Sequence, residues 1–247
     1  MPTKIIQLDI GRGTQWGTDL APKVIREICI PSAKAYAKKH GYEYELITKS
    51  RYEKEVGELN FLATRNKHFS FERYLNLDSD HDQIAYIDND VYISDAAQAL
   101  PVIEGISASY EPGFTNSRNI FIQENSLDKN HEYINSGVIF SDRNTAETIC
   151  CYMIDRAKNK RHAKGKNTDN MMFNEFVLEY PGLFSVADEK WNYMPMLPGS
   201  SRGLNANFMH LIGIPGKKLL EQLVKTRMPL KPLLEKITTG EIKLDVS

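Results

Sequence analysis

The chain has 247 residues, 41% hydrophobic and 26% charged, with 31 Lys+Arg against 32 Asp+Glu and a formal net charge of −1. This composition is that of a folded globular chain and excludes disordered and collagen-like classes, and the charge balance gives no overall pull toward nucleic acid or an anionic membrane. Three cysteines, Cys29, Cys150 and Cys151, two of them adjacent and none in a CxxC pair, fit a reducing compartment better than a disulfide framework or a structural zinc site. The opening MPTKIIQLDIG turns polar too soon for a signal peptide, and no stretch approaches the roughly 18 apolar residues of a membrane span. Asn-x-[Ser/Thr] acceptors are absent as well, so the expected location is the cytoplasm.

Lys4 to Ile10 is an apolar run closed by Gly11, the pattern of a first buried strand. After a Gly-rich loop, Lys23 to His40 has a helical pattern interrupted by Pro31, with Gly41 as its C-cap behind three cationic residues. Tyr42 to Ile47 alternates and reads as a second strand. Strand, helix and strand within about fifty residues form a βαβ unit and predict an α/β sheet. Asn66 to Leu77 reads as a helix, followed by an acidic turn and a compact strand, Ile84 to Ile87, ending on Asp88-Asn89-Asp90. A helix is expected over Ala96 to Ile103, a strand over Ile106 to Tyr110, and a polar loop over Gly113 to Lys129. Ile134 to Phe140 is strand-like, and Ala146 to Lys158 and Asp169 to Leu178 are helical. Pro181 to Gly216 is rich in loop residues and precedes a cationic stretch, Lys217 to Lys236, in which Pro229 and Pro232 forbid one long helix. With no repeat and no break in composition, one α/β domain over residues 1–247, with a helical C-terminal extension at 217–247, is the expected organisation. The leucines and lysines of that extension offer a peripheral contact with an anionic membrane, but a packed amphipathic helix with a solvated face is the stronger expectation.

Two carboxylates one residue apart, where a buried strand gives out, aim at a single divalent cation. Hard oxygen ligands suit Mn²⁺ or Mg²⁺ with positions left for phosphate oxygens, and the carboxyl ends of strands are where open α/β sheets bind ligands. The plainer alternative is that both aspartates only open a turn; the apolar flanks, Tyr86-Ile87 and Val91-Tyr92-Ile93, weigh against a casual surface turn. An EF-hand fails because Ile93 and Ala99 stand where Gly and Glu are needed. A dinucleotide fingerprint fails at Trp16, and no P-loop pattern occurs. A phosphohydrolase using the same acidic pair stays open, as does a nucleotide-sugar-binding module without turnover.

Several other segments follow in a familiar order: Ile5 to Asp9, Lys39-His40-Gly41-Tyr42, Ile84 to Asp90, Asn135-Ser136-Gly137, Asp169-Asn170 and His210-Leu211-Ile212-Gly213. On these, over residues 4 to 218, the chain resembles metal-dependent GT-A glycosyltransferases, in particular the retaining glycogenin/galactosyltransferase-like families. The resemblance implies a single GT-A domain, a Rossmann-like nucleotide-diphospho-sugar transferase with a mixed central sheet flanked by helices. It implies transfer of a sugar from a nucleotide-diphosphate donor, UDP-linked, to an acceptor hydroxyl with retention of configuration, with Mn²⁺ or Mg²⁺ as cofactor. The acceptor class is left open among carbohydrates, lipid-linked sugars and proteins.

The same resemblance assigns roles. Asp88, Asp90 and His210 would hold the metal; the alternative for His210 is a core histidine satisfied by backbone. Leu8 and Asp9 close the strand that meets the nucleotide, and Arg12, Thr14 and Trp16 lie in the loop that would wrap base or ribose. Arg73 and Lys67 would hold phosphate or a sugar hydroxyl, with a solvated helix face as the alternative for both, above all for Lys67. Asn89, Asn135, Ser136 and Gly137 would face the donor, although Gly137 also suits a turn or bulge. Gly213 would let backbone approach the diphosphate and Lys217 would supply a cation to it. Asp169 and Asn170 are the candidate catalytic pair near the sugar. Two departures stand out: Asn170 occupies the place of a Gln, and Gly216 the place of the family's lysine, six residues after His210. Trp191-Asn192 resembles a late aromatic-Asn element on the acceptor side, with core packing as the alternative for Trp191.

Overall fold

A computed structural model describes residues 1–10, 20–52, 68–77, 80–113, 115–158, 168–201, 203–211, 213–226 and 228–244. Strand β1 (Thr3–Leu8) leads into a helical run of α1 (Leu20–Val24), a π-turn segment (Ile25–Cys29) and α2 (Ile30–His40), and then into β2 (Glu43–Ile47). Helix α3 (His68–Leu75) precedes β3 (Gln83–Ile87) and β4 (Val91–Ile93). Next come β5 (Ile106–Tyr110), α4 (Asn116–Glu124), β6 (Ile134–Asp142), α5 (Arg143–Lys158) and α6 (Thr168–Glu179). The chain continues through β7 (Phe184–Val186) and β8 (Phe208–His210) to α7 (Gly213–Lys225) and α8 (Leu230–Thr238).

Six strands form one sheet in the order β2-β1-β3-β6-β5-β7. β1 runs parallel to both β2 and β3, β6 is antiparallel to β3 and β5, and β7 is parallel to β5, so β6 alone is reversed. The expected βαβ unit and mixed sheet are therefore present. Alternation divides the sheet's apolar residues between two faces. Ile6, Ile84, Tyr86 and Ile139 pack with Tyr74, Ile149, Phe173 and Phe176 of α3, α5 and α6. Ile5, Ala85, Ile87, Val138 and Phe140 pack on Ala33, Tyr36 and Ala37 of α2, and on Trp191 and Phe208. Covering both faces explains why β3 is buried at every residue and reads from Ile84 to Ile87 as a continuous apolar run.

The consequence for function lies in the strand ends. β1 and β3 are parallel, so Asp9 and Asp88 emerge at the same edge; β6 is reversed, so its first residues, Asn135 to Gly137, arrive there too. Asp88 N–H extends the ladder to Gly137 O at 2.7 Å. The short ribbon β4-β8 then folds over this edge and pairs Val91 with His210.

Several local expectations change. The helical run passes through Pro31, because the preceding π-turn, closed by Ile30 N–H to Ile25 O, absorbs the missing amide. The expected Ala96–Ile103 helix is absent. Its backbone is claimed by side chains instead: Tyr36 Oη donates to Gln98 O, Gln98 N–H to Asn207 Oδ1, and Leu100 N–H to Tyr42 Oη at 2.6, 3.0 and 3.0 Å. These tertiary partners override alanine's helix propensity. Conversely, α4 stands in the expected 113–129 loop, capped by Thr115, which accepts from Arg118 N–H, and anchored by buried Phe121 and Ile122. The Arg118 guanidinium holds the flanking chain by donating to Gly113 O, Asn130 O and His131 O. The Pro/Gly-rich segment contains two short strands, β7 and β8, that three residues cannot announce by alternation. The C-terminal helices begin at Gly213 rather than 217, and bury Leu219, Leu220, Leu223, Leu233, Leu234 and Ile237 in a third cluster, as a packed terminal element requires.

Candidate metal centre

Asp88 and Asp90 sit in the turn between β3 and β4, held by Val91 N–H to Asp88 O at 3.1 Å. Strand pairing brings His210 across from them, and one ligand atom from each of the three residues lies within 4.8 Å of the others. His210 Nε2 is 3.3 Å from Asp90 Oδ1 and 3.8 Å from Asp88 Oδ2. Asp90 and His210 are buried at 8% and 4% exposure, so the imidazole is no surface residue, and the backbone-satisfied alternative for its ring fails because its ring nitrogens meet side chains.

Asp88 is the most constrained member. Tyr86 Oη donates to its Oδ1 at 2.6 Å and Arg73 approaches its Oδ2 at 3.4 Å, while buried Gln7 donates to its carbonyl at 3.1 Å. Arg73 also donates to the Ser136 carbonyl and hydroxyl at 3.1 and 3.2 Å, and lies over the Tyr86 ring. Burial pushes the Asp88 carboxyl above the usual carboxylate range; the Arg73 guanidinium pulls it down and the Asp90 charge adds to the rise. Burial pulls His210 down, but Asp90, through charge and hydrogen bond, and Asp88 together overcome it, and the net direction is upward. Both groups thus hold a proton more readily than the free side chains do.

Behind the histidine lies a buried polar line. Asn192 Oδ1 meets His210 Nδ1 at 3.0 Å, Asn192 Nδ2 donates to Asn135 Oδ1 at 3.0 Å, and Asn135 Nδ2 donates to Glu111 Oε2 at 3.1 Å. Gly137 is a strand residue here, not a turn. A Cβ on it would sit 2.2 Å from His210 Cε1 and 2.7 Å from Nδ1, so glycine gives the imidazole its space. Gly216 has a similar reason: its Cβ would fall 2.2 Å from the Leu211 carbonyl oxygen, and no lysine stands there without moving that backbone.

The remaining predicted residues divide. Leu8 is buried at the end of β1, and Asp9 joins the edge through Asn89 Nδ2 at 3.3 Å and through Arg26 at 3.4 Å. Asn170 Oδ1 accepts from Ser136 N–H at 3.0 Å, with Asn174 bonding both backbone groups of Ile134 beside it, so α6 is stitched to the start of β6. Trp191 is core, edge-on to Phe140 and Phe208 at 5.7 and 5.3 Å, and only its neighbour Asn192 reaches the centre. Arg12, Thr14, Trp16 and Lys67 lie outside the described residues, as do the side chains of Asp169 and Lys217; Gly213 opens α7. Sequence reasoning missed Gln7, Tyr86, Glu111 and the role of Asn192. The proximity of Tyr86 to Asp88 at i and i+2 on one strand face was the one available signal.

A scan of known family models finds no match, and a search of the curated proteins finds none either. Solved structures do match. A glycosyltransferase involved in the glycosylation of the major capsid of PBCV-1 superposes with a TM-score of 0.55 at 14% identity, covering 90% of this chain and 100% of that one. The galactosyltransferase LgtC, in complex with donor and acceptor sugar analogs, gives 0.52 at 12% identity over 90% of this chain and 95% of its own. The chain has the GT-A fold. At such identities the likeness is one of fold, and the GT-A expectation of a mixed sheet flanked by helices is met. No described helix is long and apolar enough to cross a membrane.

Proposed function

We propose that this chain is a metal-dependent glycosyltransferase that moves a sugar from a nucleotide-diphosphate donor, UDP-linked, to an acceptor hydroxyl with retention of configuration. The observation that carries the reading is the Asp88-Asp90-His210 cluster at the strand edge where β1, β3 and β6 converge. Its donor set fits Mn²⁺ or Mg²⁺: two carboxylates supply hard oxygens, and the imidazole favours the more nitrogen-tolerant Mn²⁺. When bound, such a cation neutralises charge developing on the departing diphosphate.

The chain's own residues supply the rest. Arg73 fixes the Asp88 carboxylate and the Ser136 carbonyl together, holding β3 and β6 in register beside the donor. Leu8, Asp9 and Asn89 border the place for the nucleotide, and Asn135, Ser136 and Asn170 that for the sugar. Arg12, Thr14, Trp16, Lys67, Gly213 and Lys217 complete the donor set on the strength of the resemblance, with Asp169 as Asn170's catalytic partner. Retention and the UDP base rest on the same resemblance, His210-x-x-Gly213 above all. The acceptor, whether carbohydrate, lipid-linked sugar or protein, is of hydroxyl-bearing class.

The test is release of free nucleoside diphosphate from a panel of nucleotide sugars, with Mn²⁺ and with EDTA, for the wild type and Asp88→Asn. Metal-dependent release from one donor, lost in the variant, supports the reading. Phosphate release from simple esters without nucleotide dependence would instead make the acidic pair that of a phosphohydrolase; metal-dependent binding without release would make the chain a binding module.

A further inference from the structure

Buried asparagines are expensive unless both ends of the amide are used, and Asn135 and Asn192, at 4% and 0% exposure, form one continuous line with His210. The direction of that line is fixed by groups with no freedom of role. The Gly137 backbone N–H can only donate, and it meets Asn135 Oδ1 at 2.9 Å. At the other end of the same amide, the Glu111 carboxylate accepts from Nδ2. Asn135 is therefore oriented from both sides and cannot be flipped. Its oxygen accepts a second bond, which Asn192 can supply only from Nδ2. That leaves Asn192 Oδ1 facing His210 Nδ1, and an amide oxygen there requires the ring's proton on Nδ1.

We infer that Asn192 is a positioning residue: through Asn135 and Glu111 it keeps a proton on Nδ1 of His210, so that Nε2, which faces Asp88 and Asp90, is the nitrogen that gives up its proton to become a metal ligand. The inference rests on the reading of those three residues as a metal seat. It goes beyond it in making ligand quality depend on a residue that touches neither metal nor substrate. Glu111, the far end of the line, also borders a cleft of about 580 Å³ with Tyr110, Arg118, Asp188 and Glu189, so the line runs from that cleft to the metal seat. Gly137 serves twice, as the N–H that sets the direction and as the absent Cβ that admits the ring.

Two variants separate positioning from mere support of the fold. Asn192→Leu has similar size and no acceptor; Asn192→Asp keeps an acceptor for Nδ1–H but breaks the bond to Asn135. Calorimetric titration with Mn²⁺ is expected to give about 10- to 100-fold weaker binding for Asn192→Leu. Asn192→Asp is expected to stay within about threefold of the wild type, because a carboxylate orients a ligating imidazole equally well. Thermal unfolding in EDTA shows whether each variant is folded, and ¹H-¹⁵N spectra of the neutral His210 ring read the tautomer in the wild type directly. A neutral wild-type ring with its proton on Nε2 rather than Nδ1, or an Asn192→Leu protein that binds Mn²⁺ as tightly as the wild type, overturns the inference and leaves the metal seat intact. A wild type that binds no Mn²⁺ overturns both.

Discussion

Strand β4 is three residues long and has a carboxylate site at either end, and the two sites are built on opposite plans. At its far end Glu235, from α8, accepts from Tyr92 Oη at 2.6 Å, Ser94 Oγ at 2.7 Å and Asp95 N–H at 3.2 Å. Protein donors serve both oxygens, so the group ties helix to ribbon. At its near end Asp90 faces a second carboxylate, Asp88, and a shared histidine. Here negative charge is concentrated, and the Arg73 guanidinium beside it is shared between Asp88 and Ser136. A carboxylate met by neutral donors is finished as a structural element. Carboxylates pooled against one another raise the cost of ionising Asp88, and under the proposed function a bound cation offsets it.

The largest effect that would sharpen this contrast is Asp90→Asn. Mn²⁺ affinity should fall by at least about 100-fold when a ligand is lost. Stability measured in EDTA should hold or rise, because one of two like charges is gone; a loss of stability on a par with that of affinity would place Asp90 with Glu235 as a structural group. Gly137→Ala comes next. The added methyl displaces the His210 ring, and we expect roughly 10-fold or greater loss of Mn²⁺ affinity together with about 1–3 kcal/mol of destabilisation from overpacking. Unchanged Mn²⁺ binding in this variant would show that His210 is no ligand.

A third effect is on pH. The pKa values of Asp88 and His210 are both raised, so in the absence of metal they retain protons at a pH where free side chains begin to release them. Ligation needs the deprotonated forms, so Mn²⁺ must displace those protons. Affinity should accordingly rise with pH through the range, above that of a free imidazole, in which His210 gives up its proton, and level off once it is lost. Titrations in buffers of different ionisation heat count the protons, and a pH-independent affinity would contradict the assignment. The smallest effect is Glu235→Gln, which we expect to cost about 1–3 kcal/mol of stability through its weakened hydrogen bonds. It should leave Mn²⁺ affinity unchanged within about twofold, as an independent site.

The two ends of β4 also differ in how far the sequence discloses them. Asp88-x-Asp90 between apolar flanks could be read directly, and with it the strand edge, because a fully buried strand and an acidic triplet are both local patterns. The βαβ start, the long helices α5 and α6 and the terminal amphipathic helix were legible for the same reason: their periodicity is carried within one segment. His210 was reached by resemblance, since what brings it to the two aspartates is the pairing of two three-residue strands more than a hundred positions apart. Glu111, Asn135 and Asn192 gather from three separate elements, and nothing local distinguishes Asn192 from the core residue Trp191 beside it. The failed helix at 96–103 and the unexpected α4 have one cause. Side chains from elsewhere, Tyr36, Tyr42 and Asn207 in the first case and Arg118 with buried Phe121 in the second, decide the backbone there. Glycines were the reverse: Gly137 stood out as a donor-facing or turn residue and Gly216 for its spacing from His210, but a Cβ on either would collide with His210 or Leu211.

The most direct test of the central claim is calorimetric titration of the wild-type chain with UDP-sugars and with other nucleotide sugars, each in Mn²⁺ and in EDTA. The account predicts saturable binding of a UDP-linked donor in Mn²⁺ and none measurable in EDTA. Equal binding in both, or no binding of any nucleotide sugar in Mn²⁺, would contradict it.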